Sequence, residues 1–261
     1  MAETKEVLYR EAAGIAWITL NRPKALNAVN KDMLQELDRL LERVRNNPSS
    51  KAVIITGSGQ EAFSAGADVK FLSQASPLEV RDFARFAVSV YNKIETLGKV
   101  VIAALNGYAL AGGQELAEAC TLRVAARTAK LGHPEVRIGA FPGFGGSTRL
   151  PRLIGKGRAA EMLLTGRIIT AEEALSIGLI NKVVEPDALP SEAEGLVREI
   201  LSKSPAAVRM TWEAIHRGLN LTLEESALLG ADYFGLVAAT EDFRIGTKAF
   251  LEKATPSFTG R

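Results

Sequence analysis

Val100-Val101-Ile102-Ala103-Ala104-Leu105 runs into Asn106-Gly107-Tyr108-Ala109-Leu110-Ala111 and then into Gly112-Gly113-Gln114-Glu115-Leu116. An unalternated apolar run closed by an Asn-Gly turn signal is the pattern of a strand buried on both faces. The paired glycines that follow can open a helix, and the first N–H groups of a helix have no intrahelical acceptor. A covered strand feeding a helix is a unit of a layered α/β fold. Glu115 falls in the first turn of that helix, beside amides and a dipole end able to hold an oxyanion.

The same pattern recurs upstream. Ala52 to Thr56 is another short apolar run, closed by Gly57, and Pro77 to Leu97 reads as a long helix between the two runs. Val7 to Arg10 and Ile15 to Leu20 flank Ala13-Gly14 and predict an antiparallel hairpin. Asn30 is placed to cap a helix through Arg45, with Met33, Leu37, Leu40, Leu41 and Val44 on one face. Past Asn181-Lys182-Val183-Val184 the strand signals nearly vanish. Helices are predicted near Ser191 to Ser202, Pro205 to Arg217, Leu223 to Ala239 and Glu241 to Lys253. Thr170 with Glu173 and Thr222 with Glu225 have capping-box spacing, and Gly178 can end the helix begun at Thr170. The expected division is an α/β core over residues 1–195 and a helical region over 196–261.

Lys and Arg number 32 against 30 Asp and Glu in 261 residues, a balance that argues against a protein organised around nucleic-acid phosphates or an anionic membrane. On the first long helix Asp32, Glu36, Asp38 and Glu42 interrupt the basic residues, so no basic comb forms there. A single cysteine, Cys120, excludes an intrachain disulfide, and with only His133 and His216 beside it no metal site is expected. The amino terminus lacks the basic start and apolar run of a secretory leader, and no apolar stretch approaches the roughly 20 residues of a membrane span. A soluble, unprocessed, cytoplasmic protein is expected.

Four motifs carry more than periodicity does: Asn21-Arg22-Pro23-Lys24-Ala25-Leu26-Asn27-Ala28, Phe63-Ser64-Ala65-Gly66-Ala67-Asp68, Asn106-Gly107-Tyr108-Ala109 through Glu115-Leu116, and Pro134-Glu135 through Gly146. In this order they resemble the crotonase family, the enoyl-CoA hydratase/isomerase group, over nearly the whole chain. The resemblance implies a spiral of ββα units followed by a helical trimerisation region, assembled as a homotrimer or a dimer of trimers. It implies an acyl-CoA substrate and no separate cofactor, since coenzyme A arrives as part of the substrate.

By the same resemblance, the amides of Ala67 and Gly112 bind the thioester carbonyl as it gains charge, and Glu115 and Glu135 hold the water added across the double bond. Glu115 helps activate that water, and Glu135 delivers a proton to the α-carbon. Around them, Lys24, Ala25, Leu26, Ala65, Asp68, Val69 and Lys70 are expected near the coenzyme and the oxyanion loop. Phe258 and Arg261 match a family ending that reaches a neighbouring subunit's coenzyme. Phe141 and Gly143 belong to the glycine-rich stretch Phe141 to Arg149 beside the acyl pocket, where Phe141 and Phe144 either narrow the pocket or join the core.

Retention of both acids favours reversible syn hydration of a 2-enoyl-CoA to a 3-hydroxyacyl-CoA. Isomerisation, decarboxylation or hydrolysis through the same enolate is the alternative. His133 stands where other members often have glutamine, either as a hydrogen-bonding loop residue or as a modifier of Glu135. Cys120 is expected to be buried and inert.

Overall fold

The computed structural model describes residues 5–261; Met1 to Thr4, the start of the stretch read for a leader, lie outside the described residues. The chain forms two compact units, Met1–Glu194 and Gly195–Arg261.

The first unit opens with β1 (Val7–Ala12) and β2 (Ile15–Leu20), an antiparallel hairpin. Its turn residues Ala13 and Gly14 both take positive φ, 51° and 78°, the requirement of the tight turn that matches strand twist. Asn30 caps α1 (Lys31–Asn46) by accepting from the Met33 N–H at 2.9 Å, and Met33, Leu34, Leu37, Leu40, Leu41 and Val44 form its buried face. Next come β3 (Ala52–Gly57), the three-residue β4 (Ala62–Ser64), the single turn α2 (Val69–Leu72) and α3 (Pro77–Glu95). A complete capping box between Ser76 and Glu79 starts α3, which packs on α1.

The stretch that decides the fold then gives β5 (Val100–Leu105), β6 (Tyr108–Leu110) and α4 (Gly112–Ala119). β7 (Leu122–Ala126) and β8 (Lys130–Gly132) follow, then α5 (Gly146–Ile154), α6 (Lys156–Thr165), β9 (Ile168–Thr170), α7 (Ala171–Ser176) and β10 (Lys182–Val184).

Two sheets result. The larger has the order β1-β2-β3-β5-β7-β10 and is parallel from β2 onward; the smaller has the order β4-β6-β8-β9. Each of the pairs β3/β4, β5/β6 and β7/β8 gives its first strand to the large sheet and its second to the small one before a helix intervenes. This is the spiral of ββα units. Val53, Ile55, Val101, Ala103, Leu105 and Ala125 bury one face of the large sheet in a core shared with α1 and α3.

One local expectation is corrected. Thr170 accepts from the Glu173 N–H at 3.1 Å, but the Glu173 carboxylate pairs with Arg167 instead of closing the box. The nearby guanidinium offers a charged partner that outcompetes a neutral backbone N–H. Thr222 and Glu225 form the complete box.

α8 (Leu189–Leu201) leads into the second unit, which holds α9 (Pro205–Gly218), α10 (Leu223–Ala238) and α11 (Glu241–Leu251). The buried Asp242 carboxylate accepts from the N–H groups of Thr259 at 2.7 Å and Gly260 at 3.1 Å, and the Asp242 N–H donates to the Arg261 carbonyl at 3.1 Å. Burial acts to raise the Asp242 pKa, but these bonds and one with Ser204 hold it below the usual carboxylate value. The chain end is thereby pinned to α11. Among the described residues no helix is long and apolar enough to cross a membrane.

Candidate active site

The small sheet aims backbone at one point. β4 ends at Ser64, and the loop after it is tied to the loop before α1: the Ala65 N–H donates to the Leu26 carbonyl at 3.0 Å, Val29 to Gly66 at 2.7 Å and Asp68 to Val29 at 2.9 Å. β6 ends at Leu110, and Ala111 turns the chain into α4 with φ 48° and ψ −127°, a costly conformation for a residue with a Cβ. Its N–H donates to Gly132 and its carbonyl accepts from Glu115, both at 2.9 Å, so the turn is held at both ends. The two loops touch. A Cβ placed on Gly66, whose φ is +106°, would lie 2.7 Å from the Ala111 Cβ. One placed on Gly112 would lie 3.4 Å from the Ala67 nitrogen. The Ala67 and Gly112 amides are therefore neighbours, and Gly112, at the first position of α4, has no intrahelical acceptor for its N–H. The buried Tyr91 hydroxyl donates to the Gly112 carbonyl at 2.9 Å and fixes that residue from α3.

Glu115 is buried one turn into α4. Its Oε1 accepts from the Phe144 N–H at 2.8 Å and the Gly146 N–H at 2.7 Å. The glycine-rich stretch is thus an anion-binding turn for a protein carboxylate. Burial pushes the Glu115 carboxyl up to about 7; the Gly146 N–H and the charge of His133 oppose the rise, and Glu135 and Glu118 add to it. Arg149 braces the turn, donating to the Phe144 carbonyl at 3.0 Å and binding Glu95 through Nε at 3.0 Å and Nη2 at 2.7 Å.

Glu135 opens a short 3-10 turn, Glu135–Ile138, after β8. Both its oxygens are buried and accept no hydrogen bond from the described residues. His133 Nδ1 approaches Oε1 at 3.5 Å, an ion-pair distance too long for a hydrogen bond. His133 Nε2 lies 2.7 Å from Glu118 Oε1, and the Gln114 amide donates to the same oxygen at 3.2 Å. Burial acts to lower the His133 pKa, but Glu118 and then Glu135 overcome it and push it up to about 10. No sequence argument singled out Glu118. The available signal is its i,i+3 spacing from Glu115 on one helix.

The structure brings Glu115, Glu135, Ala67 and Gly112 into one locality. Asp68 is already committed, to Arg22 at 3.0 Å and to capping α2 at the Lys70 N–H. Val69 and Lys70 are exposed on α2, and Lys24 is exposed on the short 3-10 turn Pro23–Ala25, after which Leu26 and Asn27 take φ 50° and 55°. The buried Asn27 amide fixes that turn by donating to Ala62 at 2.8 Å and Ser58 at 3.0 Å. Phe141 is 71% exposed, whereas Phe144 belongs to the core, edge-to-face on Phe83 and Tyr91. Gly143 is half-buried between them. Phe258 and Arg261 lie in the second unit; there Phe258 packs at Gly246 and Arg261 belongs to the pinned tail. Cys120 is buried as a free thiol, its pKa pushed up to about 12 by burial. Among the described residues no group of three or more potential ligands could hold a metal ion.

The ββα spiral thus sets two neighbouring backbone amides and two buried carboxylates at the start of α4 and the end of β8, an arrangement of the crotonase class of fold. Residues 10–261 match the family model described as enoyl-CoA hydratase/isomerase, and the chain belongs to that family. It is 44% identical over 257 residues to a crotonyl-CoA hydratase of Syntrophomonas wolfei, covering 98% of this chain and 99% of that protein. It is 41% identical over 251 residues to a short-chain-enoyl-CoA hydratase of Clostridium acetobutylicum, covering 96% of each. The crystal structure of an enoyl-CoA hydratase from Bacillus anthracis superposes with a TM-score of 0.93 at 38% identity, covering 98% of this chain and all of that one.

Proposed function

We propose that this protein is an enoyl-CoA hydratase that adds water across the double bond of a 2-enoyl-CoA thioester to give a 3-hydroxyacyl-CoA. The observation that carries the reading is Glu135, a buried carboxyl with no hydrogen bond from the described residues, set near the still more deeply buried Glu115. A buried polar group left without a partner is costly, and such groups mark places where a ligand supplies the missing bond. The names of the relatives at 44% and 41% identity support the same reaction.

In the proposed mechanism the thioester oxygen lies between the Ala67 and Gly112 amides. As water attacks the β-carbon, the carbonyl π-electrons move onto that oxygen, and two fixed donors favour the enolate over the ground state. Ionised Glu115 takes the water proton through Oε2, the oxygen outside its bonds to Phe144 and Gly146. A pKa near 7 suits a base that works at neutral pH. Glu135 supplies the α-carbon proton on the same face, and once product leaves, the proton taken up by Glu115 passes through an incoming water to Glu135 and restores both groups for the next turnover. The coenzyme is read onto the exposed loop carrying Lys24, Ala25 and Leu26 and onto Lys70.

The second unit is read as the oligomerisation region. Ile215, Leu223, Leu228, Phe234 and Leu236 on its helices are all more than half exposed in the single chain, apolar side chains that contact with further copies would bury. Light scattering should give a mass three or six times that of the 28.0 kDa chain.

The deciding experiment follows the conjugated-thioester absorbance of crotonyl-CoA. Wild type should consume it and form 3-hydroxybutyryl-CoA. Glu115→Gln and Glu135→Gln should each lose about 10²–10⁴-fold in turnover with the fold intact. Unchanged turnover in both variants, or conversion of a 3-enoyl-CoA without hydration, would overturn the reading.

A further inference from the structure

Behind the two acids lies a buried ion pair that the proposed chemistry does not use. His133 Nε2 and Glu118 Oε1 are 2.7 Å apart with both side chains fully buried, and Gln114 Nε2 donates to the same Glu118 oxygen at 3.2 Å. The other ring nitrogen, Nδ1, points to Glu135 Oε1 at 3.5 Å and has no hydrogen-bond acceptor of its own. On its third side the Cε1 edge of the ring lies towards Glu115. A Cβ added to Gly146 would lie 2.7 Å from His133 Cε1 and 3.0 Å from Glu115 Cγ, so ring and carboxylate flank the same point. Only a glycine leaves room there.

We propose that His133, clamped by Glu118, is a positioning residue for both acids: its ring sets a buried positive charge 3.5 Å from Glu135 Oε1 and beside Glu115. The inference rests on the hydratase reading for its kinetic consequences, although the geometry stands without it. Two ionisable carboxyls in one dry pocket repel each other when both are charged. A cation fixed beside them offsets part of that repulsion and favours the ionised form of Glu115. Glu118 has the complementary task, since an imidazolium buried alone would lose its proton. The other charged or titratable groups facing this cluster are Tyr91 from α3, which feels Glu115; Arg149 from α5, which feels both Glu118 and Glu115; and Arg123 from β7, which feels Glu118.

Glutamine supplies the control, because it keeps a polar side chain of similar reach and carries no charge. His133→Gln alone leaves Glu118 without its cation and tests folding as much as function. The informative protein is the double variant His133→Gln/Glu118→Gln, which removes both charges and keeps polar groups of similar size. Crotonyl-CoA hydration is measured from about pH 5 to pH 9 for wild type, Glu118→Gln and the double variant. Both variants should lose on the order of 10- to 100-fold in kcat. KM should stay within about twofold. The acid limb should move to higher pH by about one pH unit, because Glu115 has lost its neighbouring cation.

A double variant with the wild-type limb and kcat overturns the inference. A second readout does not need activity: the protonated-carboxyl stretch of Glu115, identified by its loss in Glu115→Gln, is followed with pH by infrared spectroscopy. It should titrate at higher pH in the double variant than in wild type, and an unmoved midpoint overturns the proposal. If wild type hydrates no enoyl-CoA, the hydratase reading fails while the infrared titration still decides the role of His133.

Discussion

Glu115 Oε1 receives the N–H groups of both Phe144 and Gly146, at 2.8 and 2.7 Å, so the glycine-rich turn grips a carboxylate of α4. These bonds fix where the carboxylate points and favour its charged form, while burial disfavours that form more strongly. The balance leaves Glu115 able to change charge near neutral pH, at the expense of some stability.

That expense is measurable. Glu115 ionises near 4.5 in an unfolded chain and near 7 in the folded one, so between these values the folded state holds the extra proton. Stability contributed by this group therefore falls as pH rises from about 4.5 to about 7, with a loss of about 3 kcal/mol above that window. Glu115→Gln keeps an acceptor for both N–H groups and cannot ionise. Its melting temperature should exceed that of wild type at about pH 8 and match it below about pH 4.5. A variant that melts lower at both pH values would show that the carboxylate's hydrogen bonds outweigh its burial.

His133 makes a second stability prediction at higher pH. Its folded pKa, pushed up to about 10, lies above the ordinary 6.5, so the stability it contributes is fully present below 6.5 and is lost as pH rises through 10. Wild type should lose melting temperature steadily across that window. His133→Gln/Glu118→Gln should be flatter there, and equal slopes would show that the pair's proton does not contribute.

The buried Glu115 and Glu135 and the neighbouring Ala67 and Gly112 amides stand in ordered motifs that glycines and prolines mark in the sequence, and the roles proposed for them come from the resemblance those motifs carry. The six-residue strands β1, β2, β3 and β5 are legible from their apolar runs. The small sheet is not. β4, β6, β8 and β9 have three residues each, too short for any periodicity, and their pairing is set by the path of the longer strands. Glu118 is hidden for a different reason. All eight residues of α4 are buried, so the rule that a helical glutamate faces solvent fails there. The strained Ala111 carries no sign at all, since alanine is not a residue that favours positive φ.

Arg149 connects the turn to α3. It binds Glu95 in bidentate fashion, donates to Asn92 Oδ1 at 2.6 Å, and holds the Phe144 carbonyl whose residue also donates to Glu115. Arg149→Met should cost about 3 kcal/mol, the usual penalty for removing one member of a buried charge pair. It should also reduce kcat at temperatures where the fold persists, because the Phe144 peptide loses its anchor. Denaturant unfolding with kinetics on the same preparation separates the two effects; lost stability with unchanged kcat would leave Arg149 a purely structural clamp.

The proposed oxyanion pair, the Ala67 and Gly112 amides, offers the sharpest steric test. Gly66 adopts a φ of +106° and sits so near Ala111 that an added Cβ would come within 2.7 Å of the Ala111 Cβ and 3.3 Å of the Gly112 nitrogen. Gly66→Ala must therefore push the Ala67 loop away from the start of α4, separating the two donors without changing any side chain that handles a proton. Fixed amides act on the charge that develops in the transition state more than on the neutral thioester. The loss should thus appear mainly in kcat, by about 10²–10³-fold for one displaced donor, with KM little altered. The buried core around Val53, Ile55 and Val101 lies outside this contact, so far-ultraviolet circular dichroism should be unchanged. A Gly66→Ala protein with full kcat would mean that the Ala67 amide does not bind the reacting oxygen.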